Sequence, residues 1–201
     1  MNTQPEPEDS AWVSIETHLG ENELKAFCRD IERLYRINSL LEFKSWRPLP
    51  DGGFRVIGRN LGNGHNIETD FHVSDIDGGL VITYSGGLKT RTLLRFEPLP
   101  AGTKLTITDD YSGTPESERQ ERLDEVDNTL LPWGNDLKRY LDRWQRWSWF
   151  APYRWYMTRF WQTMKPSARR IAKMIFWITV AEFVVFLFVF VIFWLERYGA
   201  P

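Results

Sequence analysis

Three histidines, one cysteine, two adjacent aspartates and a glutamate inside an apolar run are the side chains of this 201-residue sequence with chemistry to offer. His65 and His72 are seven residues apart on one strand-like stretch, an odd spacing that turns them to opposite faces. His18 is remote from both, and no His pair or Cys cluster has ligand spacing, so no metal site is expected. The single cysteine, Cys28, excludes an intramolecular disulfide. Beside Phe27 and Ile31 it reads as a small packed side chain rather than a reactive thiol. Gly62-x-Gly64 has no helix after it and is a turn, and there is no G-x-S-x-G, P-loop or dinucleotide fingerprint. Asp109 and Asp110 straddle the end of a strand and point apart. Asp109, on the apolar side, could serve as a base, or it could simply mark the strand's end. No polar cluster is evident among the apolar positions, so neither catalytic residues nor a cofactor is expected. What remains is the chemistry of apolar binding.

The elements that would position such a site follow from hydrophobic period. Residues 12–19 alternate, with Val13, Ile15, Thr17 and Leu19 on one side, as a half-buried strand does. Residues 21–41 change to a three-to-four spacing (Leu24, Phe27, Ile31, Leu34, Tyr35), giving one helix or two short ones broken near Asn38. Six strand-like runs follow, at 41–49, 54–61, 65–74, 80–85, 90–99 and 104–111, each closed by Gly, Pro, Asn or Asp. Loops this short between consecutive strands specify an antiparallel meander. Phe54/Val56, Ile67/Phe71/Val73, Leu80/Ile82/Tyr84, Leu94/Phe96 and Leu105/Ile107 alternate onto one face. Arg55/Arg59, Glu68/Asp70/His72, Arg91/Arg95 and Lys104 take the other, as a solvated face with cross-strand charge pairs. Residues 115–144 supply the cover: a helix with an acidic first turn (Glu116, Glu118, Glu121). Its apolar stripe runs Leu123, Val126, Leu130, Trp133 or Gly134, Leu137, Leu141 and Trp144, with a kink expected at Pro132.

A strand, two short helices, a six-stranded meander and a long C-terminal helix, over about residues 11–146, resemble the START-like superfamily, also called SRPBCC or polyketide-cyclase-like. Two stretches carry the local likeness: Arg36-Ile37-Asn38 leading into Leu41-Glu42-Phe43, and Leu131-Pro132-Trp133 to Tyr140-Leu141. The resemblance implies an α+β helix-grip fold, a curved antiparallel sheet wrapped around one long helix. It also implies an apolar ligand between sheet and helix: a lipid, sterol, quinone, polyketide or plant hormone. Phe54, Val56, Phe71, Ile82, Tyr84, Leu94, Phe96, Ile107, Trp133, Leu137 and Tyr140 are the candidate lining. The same residues would equally fill a solid core. Gly58 and Gly134, small and inward-facing, hint at space.

Charge divides the chain. Residues 1–137 hold 14 Lys/Arg against 24 Asp/Glu, whereas residues 138–173 hold 10 against one acid, Asp142. An acidic domain followed by a basic collar is unlike a nucleic-acid binder, which carries its basic patch on the folded domain. Residues 1–10 are polar, acidic and expected to be disordered, without the marks of a signal peptide. Residues 174–195 are apolar but for Glu182. At about 1.5 Å per residue they reach roughly 33 Å, enough for a hydrocarbon core of about 30 Å. Arg169, Arg170 and Lys173 precede the span, and Trp177 and Trp194 sit near its ends. The positive-inside rule then gives a single-pass, tail-anchored protein with its domain in the cytoplasm, as at a bacterial inner membrane, and a tail at 196–201. The aromatic-basic segment 147–173, with Trp147, Trp149, Trp155 and Trp161, is expected to lie in the membrane interface. Its stripe of Tyr153, Tyr156, Met157, Phe160, Trp161 and Met164 supports this.

Two functions follow. The domain binds or carries an apolar membrane-derived molecule (lipid, quinone or isoprenoid), or it is a structural or regulatory module whose Glu182 and collar recruit a membrane-protein partner. A cyclase-type enzyme is a third, and it would require a polar cluster inside the grip.

Overall fold

The structure, a computed structural model, describes residues 10–87, 89–113, 115–121 and 123–198, without the side chains of 118–120 and 123–129. The expected disorder of residues 1–9 and residues 199–201 of the tail lie outside the described residues, as do the side chains of Glu118, Leu123 and Val126; Ser10, expected to be disordered with residues 1–9, begins the first strand instead. The chain forms two compact units, 1–163 and 164–201.

In the first unit β1 (Ser10–Thr17) leads into α1 (Glu21–Arg29) and α2 (Ile31–Arg36). Then come β2 (Leu41–Pro48), β3 (Phe54–Asn60), β4 (Asn66–Ile76), β5 (Gly79–Tyr84), β6 (Arg91–Leu99) and β7 (Gly102–Asp110). The helices α3 (Glu116–Glu121), α4 (Leu123–Trp147) and α5 (Ala151–Tyr156) and a π-helical turn (Met157–Trp161) complete it. β2 to β7 form the expected meander, and β1 pairs antiparallel with β7, giving the sheet order β1-β7-β6-β5-β4-β3-β2. This curved sheet with its long helix is a helix-grip fold of the α+β class. The register places charges opposite one another: Arg55 faces Asp70 and bonds it at 2.6 Å, and Arg91 faces Asp110 and bonds it at 2.7 Å.

The helical break lies at Asp30 rather than near Asn38. The Asp30 carboxylate accepts from the Arg33 amide at 3.1 Å and starts α2 as a cap, while Asn38 falls in the turn after α2. His65 lies in the turn before β4, not on the strand. Cys28 is fully buried and burial pushes its thiol pKa up to about 12, so it is a packing residue.

α4 runs through Pro132 without ending. It packs on β1 and is tied at both flanks: Trp133 Nε1 donates to the Leu34 carbonyl at 3.2 Å, and Lys138 Nζ donates to that of Glu16 at 3.1 Å. The two glycines read as space mark close approach instead. A Cβ on Gly134 would stand 2.7 Å from Val13 Cγ2, and one on Gly58 would stand 2.7 Å from the Glu42 carbonyl oxygen. Gly58 pairs with Phe43 beside a bulge between Phe43 and Ser45, where the edge strand bends.

The aromatic stripe after Pro152 does not lie free as expected of an interfacial helix. Met157 is buried, and Tyr153 and Trp161 pack on the domain core, with the Trp161 ring 5.2 Å from that of Tyr140. Trp147, Trp149, Phe150, Trp155, Tyr156 and Phe160 stay exposed. The second unit contains α6 (Pro166–Tyr198), which starts eight residues before the expected span and is long and apolar enough to cross a membrane. Glu182, Trp177 and Trp194 are exposed on it.

Gly58→Ala should lower stability by roughly 1–3 kcal/mol, because the rigid Glu42 backbone must move to admit the methyl group. Urea denaturation of the detergent-solubilised protein, with wild type alongside, measures it.

Candidate ligand-binding cavity

Between α2, the β2–β5 half of the sheet and Trp133 of α4 lies a cavity of about 240 Å³. Its apolar wall is built from Leu41, Phe43 and Trp46 of β2, Val56 of β3, Ile67 and Phe71 of β4, and the rings of Tyr35 and Trp133. Alternation positions these side chains: Trp46 faces Val56 across β2 and β3, and Phe71 faces Tyr84 across β4 and β5. Tyr35 reaches the same space from α2, stacked on Trp133 with ring centroids 5.0 Å apart. At the exposed rim are Asn66 and Glu68 of β4 and the Gly86-Gly87 turn after β5. Gly87 takes a φ of 101°, a conformation that favours glycine.

One end of the cavity is polar. Lys89, from the loop between β5 and β6, lines it together with Tyr84 and Tyr111. Lys89 Nζ pairs with Asp109 Oδ2 at 2.6 Å; the lysine side chain is 27% exposed and the carboxylate not at all. Tyr111 donates to Asp109 Oδ2 at 3.4 Å, and the Thr92 hydroxyl donates to Oδ1 at 2.5 Å. Because an ionised carboxylate only accepts, Thr92 must accept in turn from Tyr84, 3.0 Å away, and Tyr84 must accept from the Tyr35 hydroxyl it contacts. The result is a directed chain, Tyr35 to Tyr84 to Thr92 to Asp109. Burial alone would lower the Lys89 pKa, but the Asp109 carboxylate, with Tyr111 and Tyr84, raises it overall and keeps the ammonium charged. Burial, with Asp109 nearby, likewise raises the pKa of Tyr35, Tyr84 and Tyr111, so all three phenols stay neutral.

Trp46 Nε1 is buried without a hydrogen-bond partner among the described residues. Asn38 and Asn60, both buried, accept through their side-chain oxygens from the Leu40 and Gly62 amides at 2.9 and 2.8 Å.

Of the residues that the sequence marks as lining, Val56, Phe71, Tyr84 and Trp133 border this cavity. Ile82, Leu94, Phe96, Ile107, Leu137 and Tyr140 do not border it and are packed in the buried core instead. Phe54 packs on Trp46 and Phe71, with ring centroids at 5.9 and 5.5 Å. The polar cluster that the sequence did not reveal joins residues between positions 35 and 111, and only its Asp109 carried a signal, an acid on an apolar face. The histidines stand apart from it: His72 pairs with Asp51 at 3.1 Å and His18 with the Ala101 carbonyl at 3.1 Å, both at the surface.

No protein-family model and no curated protein matches the chain. Solved structures do. A Nitrosomonas europaea protein aligns over 70% of this chain and 99% of its own with a TM-score of 0.50 at 11% identity. A Rhodobacter sphaeroides protein aligns over 70% and 97%, with a TM-score of 0.48 at 17% identity. A polyketide-cyclase-like protein of Corynebacterium glutamicum aligns over 68% and 89%, with a TM-score of 0.39 at 21% identity. At such identities the likeness to the first establishes the fold alone.

Lys89→Met should destabilise the protein by on the order of 3 kcal/mol, since it leaves a buried carboxylate without its cation. The double variant Lys89→Met/Asp109→Asn should recover most of that loss. Thermal unfolding of the two side by side checks both.

Proposed function

We propose that the domain binds a small apolar molecule, or the end of a longer one, in the cavity between α2, β2–β5 and Trp133, and that α6 holds it at a bilayer. The cavity carries this reading: an aromatic and aliphatic wall with a few convergent polar groups at one end is the usual composition of a ligand site. Its 240 Å³ suits a compact ligand, since pockets for drug-sized molecules run from about 300 to 1,000 Å³.

Binding fits the polar end better than catalysis does. Lys89 is held as an ammonium and is no nucleophile, and Asp109 is fully buried and bonded by three groups. Neither is a free base. This reading places the chain with the polyketide-cyclase-like proteins whose fold it shares, as a binding or carrier member.

The length and composition of α6 support anchoring. Arg169, Arg170 and Lys173 before its apolar stretch favour a cytoplasmic position for the domain. An apolar ligand would then be exchanged with the adjacent membrane.

Native mass spectrometry of the protein extracted in mild detergent should show one apolar molecule per chain. Ile67→Trp, which fills the cavity beside the rim, should cut occupancy by about tenfold, equivalent to about 1.4 kcal/mol. An empty wild-type protein would overturn the reading. Alkaline carbonate washing should leave the full chain in the membrane pellet; release into the supernatant would overturn the anchor.

A further inference from the structure

We propose that the ligand is uncharged and carries a carbonyl-type oxygen, which the Lys89 ammonium binds at the polar end of the cavity. This rests on the reading of the cavity as a ligand site and narrows the chemistry of what enters it.

Most hydrogen-bonding protons of the wall are already committed. The hydroxyl protons of Tyr35, Tyr84 and Tyr111 are committed to the chain that ends on Asp109. The oxygens of Asn38 and Asn60 are taken by backbone amides, and Thr69 donates to the Gly86 carbonyl at 2.8 Å. Lys89 has three protons, one of them on Asp109 at 2.6 Å. Trp46 Nε1 bonds to nothing among the described residues. The protons left over are those of Lys89 and Trp46 Nε1; the phenol oxygens of Tyr35 and Tyr111 can still accept, but a buried donor left unmatched is the costlier vacancy, so an acceptor on the ligand is favoured.

Lys89 is the one cation among the lining residues, and Glu68, at the exposed rim, is the one anion. Asp109 already neutralises Lys89 from behind. A carboxylate or phosphate entering beside Lys89 would add a second negative charge next to a fully buried one, with no further cation to offset it. A ketone, ester or similar oxygen accepts the same proton and brings no charge. The apolar walls then hold the rest of the molecule.

The test uses three matched probes: 2-acetylnaphthalene, 2-ethylnaphthalene and 2-naphthoate, measured by equilibrium dialysis against the full chain in nanodiscs, with empty nanodiscs as blank. The ketone should bind about tenfold more tightly than the hydrocarbon, the gain of one charge-assisted hydrogen bond, and more tightly than the carboxylate. Asp109→Asn, which keeps the shape but removes the neutralising charge, should reverse the order so that naphthoate binds best. Lys89→Met/Asp109→Asn should erase the ketone's advantage and keep hydrocarbon binding. Equal binding of ketone and hydrocarbon to the wild-type protein, or a preference there for naphthoate, would overturn the proposal and leave the cavity reading standing. Failure of all three probes to bind would overturn the cavity reading itself.

Discussion

A carboxylate with no solvent contact sets the terms for this domain. An ion buried in a protein loses several kcal/mol of hydration unless the interior returns it. Asp109 is repaid by Lys89, Thr92 and Tyr111, and at one remove by Tyr84 and Tyr35. Those partners come from α2, β5, β6, the β5–β6 loop and the residue after β7. The ion therefore fixes the register of three strands and the seat of a helix together. It also decides the chemistry of the space in front of it, because hydroxyls that point their protons at Asp109 cannot offer them elsewhere.

Why there is a space at all follows from which helix covers which part of the sheet. α4, 25 residues long, lies on β1 and closes the core through Trp133, Leu137, Tyr140 and Leu141. The glycine at 134 lets it approach the sheet closely. The opposite edge is covered by α2, which has six residues and spans about 9 Å. So short a helix cannot cover β2, β3 and β4 together, and β2 keeps mostly half-buried side chains where β7 is buried along its last half. The grip is thus solid on one side and hollow on the other. Arg33 strengthens the solid side, donating to the Tyr140 hydroxyl at 2.8 and 3.1 Å and lying 4.3 Å from the Trp144 ring centre.

Much of the architecture could be read from the chain because strand and helix periods are local. Val13, Ile15 and Thr17 are buried in alternation as their spacing requires, and the six meander strands appear in order with ends shifted by one or two residues. The apolar stripe of α4 was equally plain from Leu130 onward. What escaped was tertiary. Asp30 and Asn38 are equally plausible helix breakers in sequence, and only the Arg33 amide shows that Asp30 caps. Gly58 and Gly134 look like gaps until their neighbours are placed. The stripe of Tyr153, Met157 and Trp161 has the same spacing whether it meets lipid or Tyr140. Lys89, in a glycine-rich turn, gives no hint that it reaches a carboxylate twenty residues on. Which half of the sheet would be hollow could not be known without the helix lengths in place.

The proposed ligand enters this hollow half uncharged, with its oxygen on Lys89. A crystal structure of the full chain with 2-acetylnaphthalene bound tests it most directly. Density for one molecule is expected among Trp46, Phe71 and Trp133, with its carbonyl oxygen within hydrogen-bonding distance of Lys89 Nζ. A cavity closed by inward-turned side chains, or a probe bound with its oxygen away from Lys89, would contradict it.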